Sequence, residues 1–144
     1  MKNFLLTLLL LSFSIYGLAK NSQKHITVSD TTVYTVVDKM PEFPGGHDSL
    51  DMFLARHFVW PTVLLESGIQ GRIGLYFIVE KNGHLTHIAV FREVTPAMDK
   101  EAIRLFSIMP NWISGEKNGK KVRVSQTFLF DFAKIAILKD NLRK

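Results

Sequence analysis

The stretch IGLYFIVEKNGHLTHIAVFRE, residues 73–93, decides the fold. Two runs rich in Ile, Val, Phe and Tyr flank Asn82-Gly83. That dipeptide is the strongest short hairpin signal, because both central residues of a type I′ turn take positive φ. A two-residue loop sets Lys81 opposite His84, and therefore Leu75 opposite Val90 and Phe77 opposite Ile88. Ile73 and Val79 join them on one apolar face. The reverse face carries Tyr76, Ile78, Ala89 and Phe91, and is apolar enough to need a cover, either a second copy or the chain's own tail.

Downstream of this hairpin, Thr95-Pro96 reads as the N-cap and first position of a helix. Asp99 and Glu101 suit the positive end of its dipole. Met98, Ala102, Leu105, Phe106 and Met109 recur at helical spacing, and Pro110 ends the run. Val122 to Phe132 alternates, with Val122, Val124, Phe128, Phe130 and Phe132 on one side and Arg123, Ser125, Thr127 and Asp131 on the other. That pattern is a long strand buried on one face. Between them, Glu116 to Lys121 is a charged loop around Asn118-Gly119, and 133–144 reads as a short tail helix.

Upstream, Asp48 to Phe58 places Leu50, Phe53, Leu54 and Phe58 on one helical face, and Trp60-Pro61 stops it. Met40-Pro41-Glu42-Phe43-Pro44-Gly45-Gly46 is a stiff loop. Val33 to Val37 reads as a first strand. Strand, helix, hairpin, helix, strand gives an α+β class: an antiparallel sheet of about three main strands packed against two helices.

The chain has 144 residues, 47% hydrophobic and 22% charged, with a net charge of +5. That is one domain plus, at its start, an address. Lys2 precedes an uncharged run from Phe4 to Ala19, and Gly17-Leu18-Ala19 supplies the small residues of a cleavage site. Residues 1–19 therefore read as a secretory signal peptide, with a short uncleaved anchor as the alternative. Residues 20–32 are a flexible lead-in, 33–132 the domain and 133–144 a tail.

No cysteine is present, which removes disulfides, thiol nucleophiles and Cys-based metal sites. His84 and His87 point to opposite faces of a strand, His47 and His57 lie about 15 Å apart along a helix, and His25 is in the lead-in, so no metal site is expected. No nucleophile elbow or phosphate loop occurs. The expectation is a non-enzyme without a cofactor. Lys117, Lys120, Lys121 and Arg123 form the one basic cluster, but the neighbouring aromatics share a buried face, so nucleic acid is not the expected partner.

With these motifs in order, residues 33–132 resemble the C-terminal domain of bacterial TonB energy transducers. The carrying residues are MPEFPGG at 40–46, WP at 60–61 where the family usually has Tyr-Pro, GIQGRI at 68–73, VEKNGHL at 79–85 and TPAMDKEAI at 95–103. PNW at 110–112 and GKKVRVSQTFLFDF at 119–132 complete them. The resemblance implies a periplasmic domain that binds the TonB box of TonB-dependent outer-membrane transporters, the box adding as a strand beside the last strand. Val124, Ser125, Gln126 and Thr127 would form the docking rung, and Trp60 and Pro61 correspond to a segment that also touches the box. Trp60 serves equally as a core aromatic. A full transducer also has a membrane helix that meets ExbB–ExbD and a long Pro-rich linker. Here ExbB–ExbD is a partner only if residues 1–19 are retained, in which case the location is the inner membrane, facing the periplasm. The lead-in of 20–32 contains no Pro. The alternative function is a stand-alone self-associating or scaffold domain, a homodimer in the first case, that does not transduce energy.

Overall fold

The computed structural model describes residues 31–61 and 71–144. The signal-peptide reading of 1–19, most of the lead-in and the first three residues of the GIQGRI motif lie outside the described residues. In chain order the elements are β1 (Val33–Tyr34), α1 (Gly46–His57), β2 (Arg72–Val79), β3 (Leu85–Arg92), α2 (Pro96–Ser107), β4 (Glu116–Lys117), β5 (Lys120–Lys121), β6 (Arg123–Asp131) and α3 (Phe132–Asn141). The main sheet has the order β1-β6-β2-β3, and β4 and β5 form a separate hairpin. The α+β class is as expected. The sheet is mixed rather than purely antiparallel, because β1 runs parallel to β6, and among the described residues the two packing helices are joined by α3 in the tail.

The hairpin forms, but by a different turn. Glu80 N–H donates to His84 O at 2.9 Å and Gly83 N–H to Glu80 O at 2.8 Å, so the loop holds three residues, Lys81 to Gly83. Only Gly83 takes positive φ, at 85°. The Asn82 side chain instead accepts from His84 N–H at 3.0 Å, an Asx turn that leaves its own backbone out of the left-handed region. The extra loop residue slips the register by one, pairing Val79 with Leu85 and Ile78 with Thr86. A bulge at His87, with φ 53°, restores it, so Leu75 does face Val90. The anticipated pairing of Phe77 with Ile88 falls in this irregular stretch. The type I′ signature sits instead at Asn118 (φ 50°) and Gly119 (φ 72°), which join β4 to β5.

The anticipated strand at 33–37 shortens to two residues. The chain leaves the sheet after Tyr34 because 39–42 pairs elsewhere: Lys39 exchanges backbone hydrogen bonds with Glu116, and Glu42 with Ile113. Downstream, α2 begins as expected. The Thr95 hydroxyl accepts from Met98 N–H at 3.3 Å, and Pro96 occupies the first turn.

One face of the sheet and the helices enclose the core. Ile73, Leu75, Phe77 and Val79 of β2, Val124 and Phe130 of β6, Leu50 and Leu54 of α1, and Met98, Ala102, Leu105 and Phe106 of α2 are buried. The tail is not loose. Phe132 and Ile135 of α3 are buried in the same core, and α3 lies on α1, with Lys134 paired to Asp51 at 2.6 Å. Lys139 Nζ donates to Phe58 O, and Arg104 Nη2 donates to His57 O at 2.9 Å. Two cations therefore meet the carbonyl end of α1, where its dipole is negative. Glu101 holds Arg104 in place at 2.6 Å and accepts from Val59 N–H at 2.8 Å.

Candidate functional site

A strand shows its hydrogen-bonding edge residue by residue. β6 pairs with β2 through eight consecutive positions without a bulge, from Arg72 opposite Asp131 to Val79 opposite Val124. Phe132 N–H donates to Gly71 O at 3.3 Å, which sets the phase. In an antiparallel ladder, bonded and non-bonded pairs alternate. Phe130, Phe128, Gln126 and Val124 therefore turn their N–H and C=O groups toward β2. Asp131, Leu129, Thr127 and Ser125 turn theirs to the opposite flank.

Among the described residues, that flank is occupied only at its start. β1 pairs with Arg123 and Val124, and the Ser125 hydroxyl donates to Tyr34 O at 3.3 Å. Arg123 fastens this corner: its guanidinium donates to Thr31 O at 2.8 Å and to both oxygens of Glu80 at 2.7 and 2.8 Å. Hydrogen bonds from Arg123 hold the Glu80 carboxyl at about 2, against a burial effect that alone would raise it, and the Thr86 hydroxyl adds a further bond. Among the described residues no strand pairs with the outer flank at Thr127 or Leu129. Thr127 is exposed, and Leu129 is 53% exposed on the outer face of the sheet.

On the core side, this flank borders a cleft of about 230 Å³. The loop Pro41 to Phe43 and the first turn of α1 form one wall, Gln126 to Phe128 the other, and Phe77 and Trp112 also line it. A smaller hollow of about 80 Å³ continues along β6 to Asp131, between His47, Asp51 and Lys134. Arg72 and the N–H groups of Lys134 and Ala133 lower the Asp131 carboxyl there. A wider cleft of about 420 Å³ lies on α1 around Met52, Phe53 and Arg56, and does not border β6.

Trp112 is pinned from its backbone. Its N–H donates to Gly83 O at 2.8 Å, and a Cβ at position 83 would lie 1.9 Å from Trp112 O. Its ring meets Phe43 and Phe77 edge-on, at centroid distances of 5.9 and 5.3 Å. The residue is 8% exposed, and its buried indole N–H has no acceptor among the described residues. Leaving such a donor unpaired costs about 1–3 kcal/mol.

The residues singled out in the sequence fall into three places. Val124 is buried in the core, with its outer flank facing β1, so the open part of the edge starts later than the anticipated rung. Gln126 turns its backbone inward and its side chain to the cleft, while Ser125 and Thr127 turn their backbones outward. Trp60 and Pro61 are half-buried, and the Trp60 ring packs on Phe58 (5.1 Å) and Phe132 (6.4 Å). That places Trp60 at the far end of β6, beside Phe132, which stands about 16 Å along the chain from Thr127 at 3.3 Å per residue. The sequence reading missed Leu129 and Trp112. Alternation along β6 contains Leu129, but only once the phase of the ladder is known. Trp112 carries no local signal, because its partners Gly83, Phe43 and Phe77 are remote in sequence.

Among the described residues, no three His, Cys, Asp or Glu side chains gather where they could hold a metal ion, and no helix is long and apolar enough to cross a membrane. The sequence profile described as Gram-negative bacterial TonB protein C-terminal matches residues 56–133, more than half of the chain. No curated protein matches.

Proposed function

The chain belongs to the TonB C-terminal family, a periplasmic or envelope-associated, non-catalytic family of energy-coupled transport that works with outer-membrane transporters; from that premise we propose that this domain captures the TonB box of such a transporter by strand addition to the outer flank of β6. The observation that carries the reading is the unpaired edge at Thr127 and Leu129, beside a cleft on the core side. These two residues offer two N–H donors and two C=O acceptors to an extended peptide. At about 0.5–1.5 kcal/mol net for each hydrogen bond, the backbone alone supports a modest affinity, and side chains entering the cleft supply the rest. β1 sets one limit on the added strand. A peptide pairing beyond it runs toward Asp131 and ends near Trp60, which keeps Trp60 and Pro61 in the proposed contact.

Export by residues 1–19 would deliver the domain to the periplasm. Retention of that segment would instead hold it at the inner membrane, where ExbB–ExbD becomes a partner. Homodimerisation is a weaker second reading. The outer edge of the sheet at β3 is broken by the bulge at His87 and a second irregularity opposite Gly74, features that blunt an edge against pairing. It rests on the outer-face apolar pair Phe91, 57% exposed, and Leu129.

The test is calorimetric titration of a TonB-box peptide into the domain and its Thr127→Pro variant. Proline at 127 removes an outward donor and leaves the ladder to β2 intact. Binding should weaken about tenfold, the equivalent of one lost hydrogen bond, with unchanged thermal stability. Equal binding by the variant contradicts the reading.

A further inference from the structure

We propose that the cleft beside β6 selects a carboxamide, a role that rests on strand addition at β6: one Asn or Gln of the docked peptide inserts its side chain there, its oxygen accepting from the Trp112 indole N–H. The first ground is the unpaired donor. Trp112 lines the cleft, is more than nine-tenths buried, and has an indole N–H without an acceptor among the described residues. Buried donors are nearly always satisfied, so one left open at a binding cleft is a place kept for a ligand atom.

The second ground is what else lines the cleft. Glu42 stands beside Trp112 because its backbone exchanges hydrogen bonds with Ile113, at 3.1 and 2.8 Å. Its carboxylate reaches the first turn of α1, 3.1 Å from where a Cβ on Gly46 would sit, and makes no ion pair among the described residues. An acidic ligand side chain would face this carboxylate in a cleft whose lining holds no Lys or Arg and His47 as its basic group. An apolar one would leave the Trp112 donor unpaired. A carboxamide answers both, since its oxygen accepts from Trp112 and its NH₂ donates to Glu42. Gln126, on the other wall, has both a donor and an acceptor to offer the same group. Side chains of an added strand alternate in direction, so a single peptide position points into the cleft beside Gln126 and Phe128.

The experiment uses an acetylated, amidated seven-residue peptide of alternating Thr and Val, with Asn or Leu placed in turn at each inner position. Titration into the wild-type domain should show one position at which Asn binds about tenfold tighter than Leu. In Trp112→Phe, which keeps an aromatic ring but removes the donor, that preference should fall below twofold. A second measurement needs no variant: the Trp112 indole proton of the wild type should shift downfield with the Asn peptide and not with the Leu peptide. If peptides bind but no position prefers Asn, or the preference survives in Trp112→Phe with an unmoved indole proton, the carboxamide pocket is wrong and strand addition stands. If no peptide binds the folded domain, both are overturned.

Discussion

Gly83 carries two demands at one position. It closes the hairpin loop with φ 85°, and it lets the backbone of Trp112 come so close that a methyl group there would collide with a carbonyl oxygen. Gly83→Ala should therefore lose at least about 2 kcal/mol of stability in urea denaturation, since left-handed strain and displacement of Trp112 add. Asn118 and Gly119 make the contrast, because nothing lies within 4 Å of a Cβ at Gly119 and substitution there meets only the φ penalty. Glu80 gives the pH dependence. Its carboxyl is held at about 2 when folded against an ordinary value of 4.5, so it adds stability above about pH 4.5 and loses it as the pH falls toward 2. The pair with Arg123 is partly solvated, which reduces the contribution to about 1–2 kcal/mol. Glu80→Gln should be less stable than wild type by that amount at pH 7, and the two should converge as the pH falls to about 2 in denaturation series.

Much of the hairpin can be read from residues 73–93, yet its turn cannot. The pairing of Leu75 with Val90 survives because a longer loop and the His87 bulge shift the register in opposite directions. Composition identifies a turn at Asn82-Gly83, but the choice between two and three residues lies in the Asn82 side chain, which bonds to His84. α2 is fully legible, because Thr95, Pro96 and the apolar spacing all act locally. β1 is not. Two residues pair with a strand some ninety positions away, and no local pattern reports that. The phase of β6 is equally hidden. Alternation tells which side chains are buried, whereas which backbone groups face β2 depends on the partner, and only that decides the candidate site. Gln126→Pro draws on this phase. It removes a donor from the interior ladder and should cost about 3 kcal/mol of stability, in contrast to Thr127→Pro, measured on the same denaturation series.

The pieces are joined through aromatic rings. Phe132 lies 5.0 Å from Phe130, 5.7 Å from Phe58 and 6.4 Å from Trp60, so the end of β6, the end of α1 and the start of α3 share one cluster. Phe132→Ala should cost about 3–5 kcal/mol in urea denaturation, because the cavity opens where three elements meet and none can collapse into it alone. α3, on α1, braces the helix that walls the cleft while β1 covers only the first residues of the flank. Among the described residues the edge of β6 is thus open over a short length, which suits a short extended peptide. Backbone amide hydrogen exchange, residue by residue, with and without a TonB-box peptide, tests this most directly. Thr127 and Leu129 should exchange fast in the free domain and become protected on binding, while Gln126 and Phe128 are protected in both. Binding that leaves Thr127 and Leu129 unchanged, or that protects β3 instead, contradicts strand addition at β6.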